Sequence, residues 1–156
     1  MTNISKIQVT DKGLIALKKE LKDLVEKDRP RVVKRLGRAR GEGDLKENSD
    51  YHSAKDELEF LDGRIDELRH VVDYAQVVGD GGSTDQVSVG TRVTVRNGDG
   101  VEHIFDIVGQ WEADPIKKKI SHESPLGKAL VDRKIGDKVQ VEAPAGNIVY
   151  EILKVE

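Results

Sequence analysis

From Tyr51 to Ala75 the chain repeats apolar residues at alternating steps of three and four: Tyr51, Ala54, Leu58, Leu61, Ile65, Leu68, Val72 and Ala75. That spacing is the heptad pattern of an α-helix burying one continuous stripe against a partner helix. Sustained for more than three heptads, it is too long to be only the core of a compact domain, so a second long helix is required. The chain supplies one upstream. Leu14, Leu17, Leu21 and Leu24 recur at spacings of 3, 4 and 3, and Val32, Val33, Leu36 and Ala39 continue in a changed phase. Thr10 is placed to cap this helix ahead of Asp11, whose charge suits the positive end of the helix dipole. The phase changes near Asp28–Pro30, where proline lacks a backbone donor and must kink the helix or shift its register. Gly41 and Gly43 suit an end at residues 40–43. Two such helices joined by a short turn make an antiparallel hairpin, about 45 Å long for roughly 30 residues per arm.

The pattern changes at Val78. Residues 79–85 read as a loose connection rich in glycine, and beyond them β-branched residues alternate. Residues 90–96 and 101–108, joined through Asn97-Gly98-Asp99-Gly100, read as a hairpin. Residues 138–143 and 148–155, joined through Pro144-Ala145-Gly146-Asn147, read as another. Ser124 and Pro125 suit the N-cap and first position of a short helix ending near Leu130 or Val131. The expected organisation is two-domain α+β: an antiparallel coiled-coil hairpin over residues 1–78 and a small antiparallel sheet packed on one helix over 79–156.

Composition narrows the function classes. The 156 residues include no cysteine, which excludes a disulfide scaffold and a cysteine zinc site. No apolar run is long enough to span a membrane and no signal-peptide core is evident, so a cytoplasmic protein is expected. The net charge of −3 argues against simple coating of nucleic acid. The charges are segregated, however. Residues 27–40 hold seven basic residues and one acid, and residues 42–67 hold ten acids and three bases. Opposite charges pairing across the two helices account for part of this.

The charge pattern changes sign around Asp44-Leu45-Lys46-Glu47, between the two helical patterns. Two readings are open. An acid followed three residues later by Glu matches a capping box for the second helix, and Asn48 fits the cap equally well. Alternatively, Asp44 and Glu47 are hard oxygen ligands for Mg²⁺, which takes one or two protein carboxylates and completes its shell with water and phosphate. Such a pair needs the rest of its site from a partner. Arg38, Arg40, Lys46 and Lys55 are candidate phosphate contacts nearby, with salt bridging to Glu42, Asp50 or Asp56 as the competing role. Tyr51 opens the apolar seam and could also stack on a base. His70, His103 and His122 show no metal-ligand spacing.

Arg40, Gly43-Asp44-Leu45-Lys46-Glu47-Asn48 and Tyr51-His52-Ser53-Ala54-Lys55 together resemble the tip signature of bacterial Gre-type transcript cleavage factors, of the GreA-like kind. The resemblance extends through Arg29-Pro30, Gly63-Arg64-Ile65, Ile107-Val108-Gly109, Ser124-Pro125-Leu126-Gly127 and Gly136-Asp137. It implies a coiled-coil hairpin followed by an FKBP-like domain that docks on bacterial RNA polymerase. The hairpin would enter the polymerase secondary channel, where Asp44 and Glu47 would help hold a Mg²⁺ shared with the polymerase. The polymerase would then cleave backtracked RNA, and the chain would be no enzyme on its own. It further implies that Arg38, Arg40 and Lys55 meet the nascent RNA 3′ segment, and that Asp114, Ser121, Ser124 and Pro125 lie on the docking side. The alternative is an inhibitory channel-binding paralogue. Such paralogues alter the tip acids or flip the globular domain, whereas both expected carboxylates stand here. A prolyl isomerase would want an aromatic-lined pocket, and beyond the connection the aromatics are Phe105, Trp111 and Tyr150.

Overall fold

The computed structural model describes residues 6–78 and 85–156. The connection expected at 79–85 therefore lies, through residue 84, outside the described residues. In chain order the elements are β1 (Ile7–Val9), α1 (Asp11–Asp23), a π-helical turn (Leu24–Asp28), α2 (Arg29–Gly41), α3 (Ser49–Tyr74) and β2 (Ala75–Val77). Then follow β3 (Arg92–Asn97), β4 (Glu102–Val108), β5 (Lys119–Ser121), α4 (Pro125–Leu130), β6 (Lys138–Ala143) and β7 (Gly146–Val155). Two compact units result, one of residues 15–74 and one of the residues through Leu14 with Ala75–Glu156. No helix among the described residues is long and apolar enough to cross a membrane.

In the helical unit the expected seam forms. Ala54, Leu61, Ile65, Leu68 and Val71 are buried along α3, and Val32 and Ala39 along α2. Val33, expected in the seam, is 42% exposed. At the far end Val71 is buried and Val72 half-buried, so the last turns of α3 bury a wider arc than a strict heptad. Pro30 acts as its chemistry requires. It stands in the first turn of α2, and just before it Arg29 N–H donates to the Leu24 carbonyl, a step of five residues. The wide turn relieves the clash between the proline ring and the carbonyl four residues back, and it appears as the phase change in the apolar pattern.

The boundary expected at residue 78 differs from the observed one. The helix stops at Tyr74, and Ala75–Val77 pair in parallel with Ile7–Val9, in the register Ile7↔Ala75, Gln8↔Gln76, Val9↔Val77. This ladder, with Val78 N–H bonded to the Val9 carbonyl at 2.8 Å, ties both segments to the globular unit. α1 begins in that unit too. Thr10 Oγ1 accepts from Gly13 N–H at 3.0 Å, which is the expected cap. The Glu112 carboxylate accepts from Thr10 N–H at 2.9 Å, from the Thr10 hydroxyl and from Gly109 N–H at 3.2 Å. A carboxylate there favours the positive end of α1.

The five-stranded sheet runs β5-β4-β3-β7-β6. Both expected hairpins are present. In the β3–β4 turn Asn97 Oδ1 accepts from Asp99 and Val101 N–H at 3.0 and 2.9 Å, and Gly100 takes φ 83°. The sheet is not wholly antiparallel as expected, because β5 lies parallel to β4. Parallel neighbours need a crossover rather than a tight turn. Two 3₁₀ turns, Gln110–Glu112 and Pro115–Lys117, followed by left-handed Lys118 at φ 59°, supply it. One sheet face packs on α4: Val87, Val93, Val95, Ile107, Leu130 and Ile152 are each at most 1% exposed. Burying each such side chain is worth about 1.5–3 kcal/mol. Phe105 belongs to the same core and Tyr150 packs against it.

Two glycines give opposite expectations. Gly127 lies inside α4, where alanine is favoured by about 1 kcal/mol on helix propensity alone. An added Cβ would stand 1.9 Å from the Ser121 carbonyl oxygen, a backbone atom that cannot step aside. Overpacking of this kind costs about 1–3 kcal/mol or more, so Gly127→Ala should lower the denaturation midpoint. Gly37, inside α2, has nothing within 4 Å of the same position. Gly37→Ala should raise stability by about 0.5–1 kcal/mol. Chemical denaturation of both variants, followed by circular dichroism, checks the two signs.

Candidate functional site

The turn between α2 and α3 is built almost without a core. Residues 40–47 are all exposed, Leu45 among them at 40%. Gly43 takes φ 127°, a conformation that favours glycine, and lets the chain leave α2. The competition for the α3 cap is decided by geometry. Asn48 Oδ1 accepts from Tyr51 N–H at 3.0 Å, the bond of an N-cap to the third helical residue. Its other amide atom, Nδ2, donates to the Ala39 carbonyl at 2.7 Å in the last turn of α2. The two acids are thus not used as caps. Asp44 Oδ1 accepts from Lys46 N–H at 3.1 Å, a local turn bond. Among the described residues the Glu47 carboxylate has neither hydrogen bond nor ion pair.

The basic block divides in two. Arg29 pairs with Asp62 at 2.7 Å, Arg31 reaches Glu57 at 3.8 Å, and Arg35 holds Asp50 at 2.7 Å and Glu57 at 2.9 Å. These pairs cross from α2 to α3, as charge pairing predicts. Their hydrogen bonds, to Asp62 for Arg29 and to Asp50 for Arg35, raise both guanidinium pKa values above the ordinary arginine value. Nearer the turn the pairing stops. Arg38, Arg40, Lys46 and Lys55 are exposed and have no acidic partner among the described residues. Asp50, one acid considered for them, is held by Arg35 instead. Arg40 lies 6.0 Å from the centre of the Tyr51 ring, and His52 meets the same ring edge-on at 5.4 Å. Tyr51 is half-buried, between its two expected roles.

The acids and free cations therefore come together around one turn, while the remaining candidates lie in the globular unit. Asp114 starts the 3₁₀ turn at Pro115, its Oδ1 accepting from Ile116 N–H at 3.2 Å. Ser121 is buried, and its carbonyl accepts from the Ser124 hydroxyl at 2.7 Å. Ser124 Oγ also caps α4, accepting from Gly127 N–H at 3.0 Å. Both serines shape the backbone of this segment. Its exposed residues include Glu123 and Pro125 and, on the neighbouring turn, Ile116 at 93%.

Sequence reading did not anticipate two side chains that matter here. Glu112 reaches Thr10 across 102 positions, and no local pattern marks that contact. Asn48 was legible as a cap, but not as the link back to Ala39. Among the described residues no three of His, Cys, Asp and Glu gather as a metal site.

Comparison with known proteins agrees along the length of the chain. Residues 7–77 match the family described as "Transcription elongation factor, N-terminal". Residues 82–156 match "Transcription elongation factor, GreA/GreB, C-term". Transcription elongation factor GreA of Oenococcus oeni is 43% identical over 150 residues, covering 94% of this chain and 93% of its own. The same factor of Rhodospirillum rubrum is 42% identical over 154 residues, with 97% and 98% covered. The crystal structure of GreA factor homolog 1 of Thermus thermophilus is 24% identical, covering 97% of this chain and 99% of its own at a TM-score of 0.46. With both of its regions matched and GreA proteins this similar over nearly full length, the chain belongs to the GreA/GreB family of transcription elongation factors.

Proposed function

We propose that this chain rescues stalled transcription by acting on bacterial RNA polymerase, entering its secondary channel turn-first and stimulating the polymerase's own cleavage of backtracked nascent RNA. The observation that carries this reading is the division of labour at the turn. Asn48 caps α3, so Asp44 and Glu47 are exposed carboxylates with no structural duty at the helix start. Hard oxygen donors of this kind fit Mg²⁺, and two of them leave most of its shell for polymerase groups, water and RNA phosphate. Bound there, Mg²⁺ would supply charge neutralisation and an oriented water for in-line phosphoryl displacement. The chain's own part is to deliver negative charge at a defined place. Arg38, Arg40 and Lys55, free of acidic partners among the described residues, offer cations to the displaced RNA 3′ segment. The segment holding Asp114, Ser121, Ser124 and Pro125 is the proposed docking side of the globular unit, with the serines setting its shape and Pro125 meeting the polymerase.

Asp44→Asn and Glu47→Gln keep size while removing charge. Each should lower stimulated cleavage by at least about tenfold, the lower end of what losing even an outer partner of a metal site costs. Melting temperature and polymerase binding should stay unchanged, because neither acid caps a helix. Normal cleavage by both variants would sink the proposal. The check is single-turnover RNA cleavage in stalled elongation complexes, run beside a binding titration.

Replacing Arg38, Arg40 and Lys55 together with glutamine should weaken action on backtracked complexes. If all three meet phosphates of a single strand, the slope of log affinity against log salt should fall by about 2. Titrations at several salt concentrations measure it, and an unchanged slope would return these residues to the solvated surface.

A further inference from the structure

Asn48 bonds to the last turn of one helix and the first turn of the next with a single amide. Its Oδ1 takes Tyr51 N–H at 3.0 Å, and its Nδ2 gives to the Ala39 carbonyl at 2.7 Å. Ala39 is fully buried in the hairpin seam, and its carbonyl also accepts Glu42 N–H at 3.2 Å. Helix ends leave such donors and acceptors without intrahelical partners. Here one side chain satisfies an orphan donor of α3, adds a second donor to the Ala39 carbonyl and closes the segment from residue 39 to residue 48 into a ring. Asp44 and Glu47 lie inside that ring. Little else holds the turn, since residues 40–47 are exposed. Its other bonds include Glu42 N–H to Ala39 and the local bond from Lys46 N–H to Asp44.

We infer that Asn48 is a positioning residue: its two-ended amide fixes the backbone of the turn from which the Asp44 and Glu47 side chains extend. The inference rests on the cleavage reading above and adds to it the group that holds the backbone carrying the two acids. The chemistry demanded at position 48 is narrow. Aspartate caps as well as asparagine, but an ionised carboxylate only accepts and would face the Ala39 carbonyl oxygen with a negative charge. Serine caps too, but its single short hydroxyl cannot span both partners. Asn48→Asp and Asn48→Ser therefore keep the α3 cap and lose the tie to α2.

The test uses the full chain with both variants. Backbone ¹⁵N order parameters for residues 43–47 should fall below about 0.6, the flexible range, while those of α3 beyond His52 stay rigid. In stalled elongation complexes the maximal stimulated cleavage rate should drop about tenfold or more, in line with the sensitivity of such chemistry to small misplacements. The protein concentration giving half the effect should not move. Order parameters and maximal rate unchanged in both variants would overturn the inference, as would a rate lost only in proportion to folded protein. If the unaltered chain fails to stimulate cleavage, the functional reading fails, and the order parameters still decide whether Asn48 holds the turn.

Discussion

The start of an α-helix leaves backbone N–H groups without partners, and three helix starts here meet that demand with one uncharged side chain each. Thr10 does so for α1, Asn48 for α3 and Ser124 for α4. The choice at α3 matters most. Had an acid of the turn been the cap, its carboxylate would be occupied by backbone donors and turned toward the helix. With an amide in that place, the nearby charge is left facing solvent. The same economy appears at α1, where Thr10 caps the helix and the Glu112 carboxylate binds the Thr10 hydroxyl and N–H from outside.

Charge along the hairpin follows a gradient of use. Arg29, Arg31 and Arg35 are matched by Asp62, Glu57 and Asp50, and such exposed pairs are each worth at most about 1 kcal/mol. Their joint effect is to favour one alignment of α2 on α3, since slippage would set basic residues opposite the wrong positions. Toward the turn the helices keep charge but lose matching. Arg38, Arg40 and Lys55 have no acidic partners among the described residues, in a chain whose acids outnumber its bases. Under the proposed reading these cations meet an anion from outside the chain.

The seam of α3 was readable from Tyr51 to Leu68 because long-range helix packing leaves a periodic trace in the sequence. The end of the helix was not readable. Ala75 fits the step of three after Val72, yet it belongs to a strand. What overrides the period is a three-residue ladder to Ile7–Val9, whose partners are 68 positions apart in the chain. Segments that short carry no usable alternation of their own. The parallel β5 was hidden for a similar reason: its neighbour is reached through two single-turn 3₁₀ segments. Pro30, in contrast, announced the change of register through a local steric rule, and the π-turn is how the chain makes it. At the candidate site the residue types were legible and their duties were not. Asp44, Glu47 and Asn48 all satisfy capping patterns, and only the direction of each side chain distinguishes them. Ser121 and Ser124 show the converse, since hydroxyls that look available in sequence are committed to backbone groups.

The two carboxylates of the turn are not equivalent, and the difference bears on how weakly the free chain should hold a cation under the proposed reading. Asp44 has two side-chain torsions and one oxygen already bonded to Lys46 N–H, so its carboxylate is largely ordered in advance. Glu47 is longer, exposed and without a partner among the described residues. Ordering such a side chain costs up to about 1.5–2 kcal/mol, roughly a factor of ten or more in affinity. Lys46, between them in sequence, adds a positive charge that disfavours a cation in isolation. A site with one ordered ligand, one unordered ligand and a neighbouring ammonium binds little alone. It becomes effective only where further oxygen ligands converge on the same ion and Lys46 can turn to a phosphate instead. Under the proposed reading, the turn therefore completes a metal shell held by another molecule.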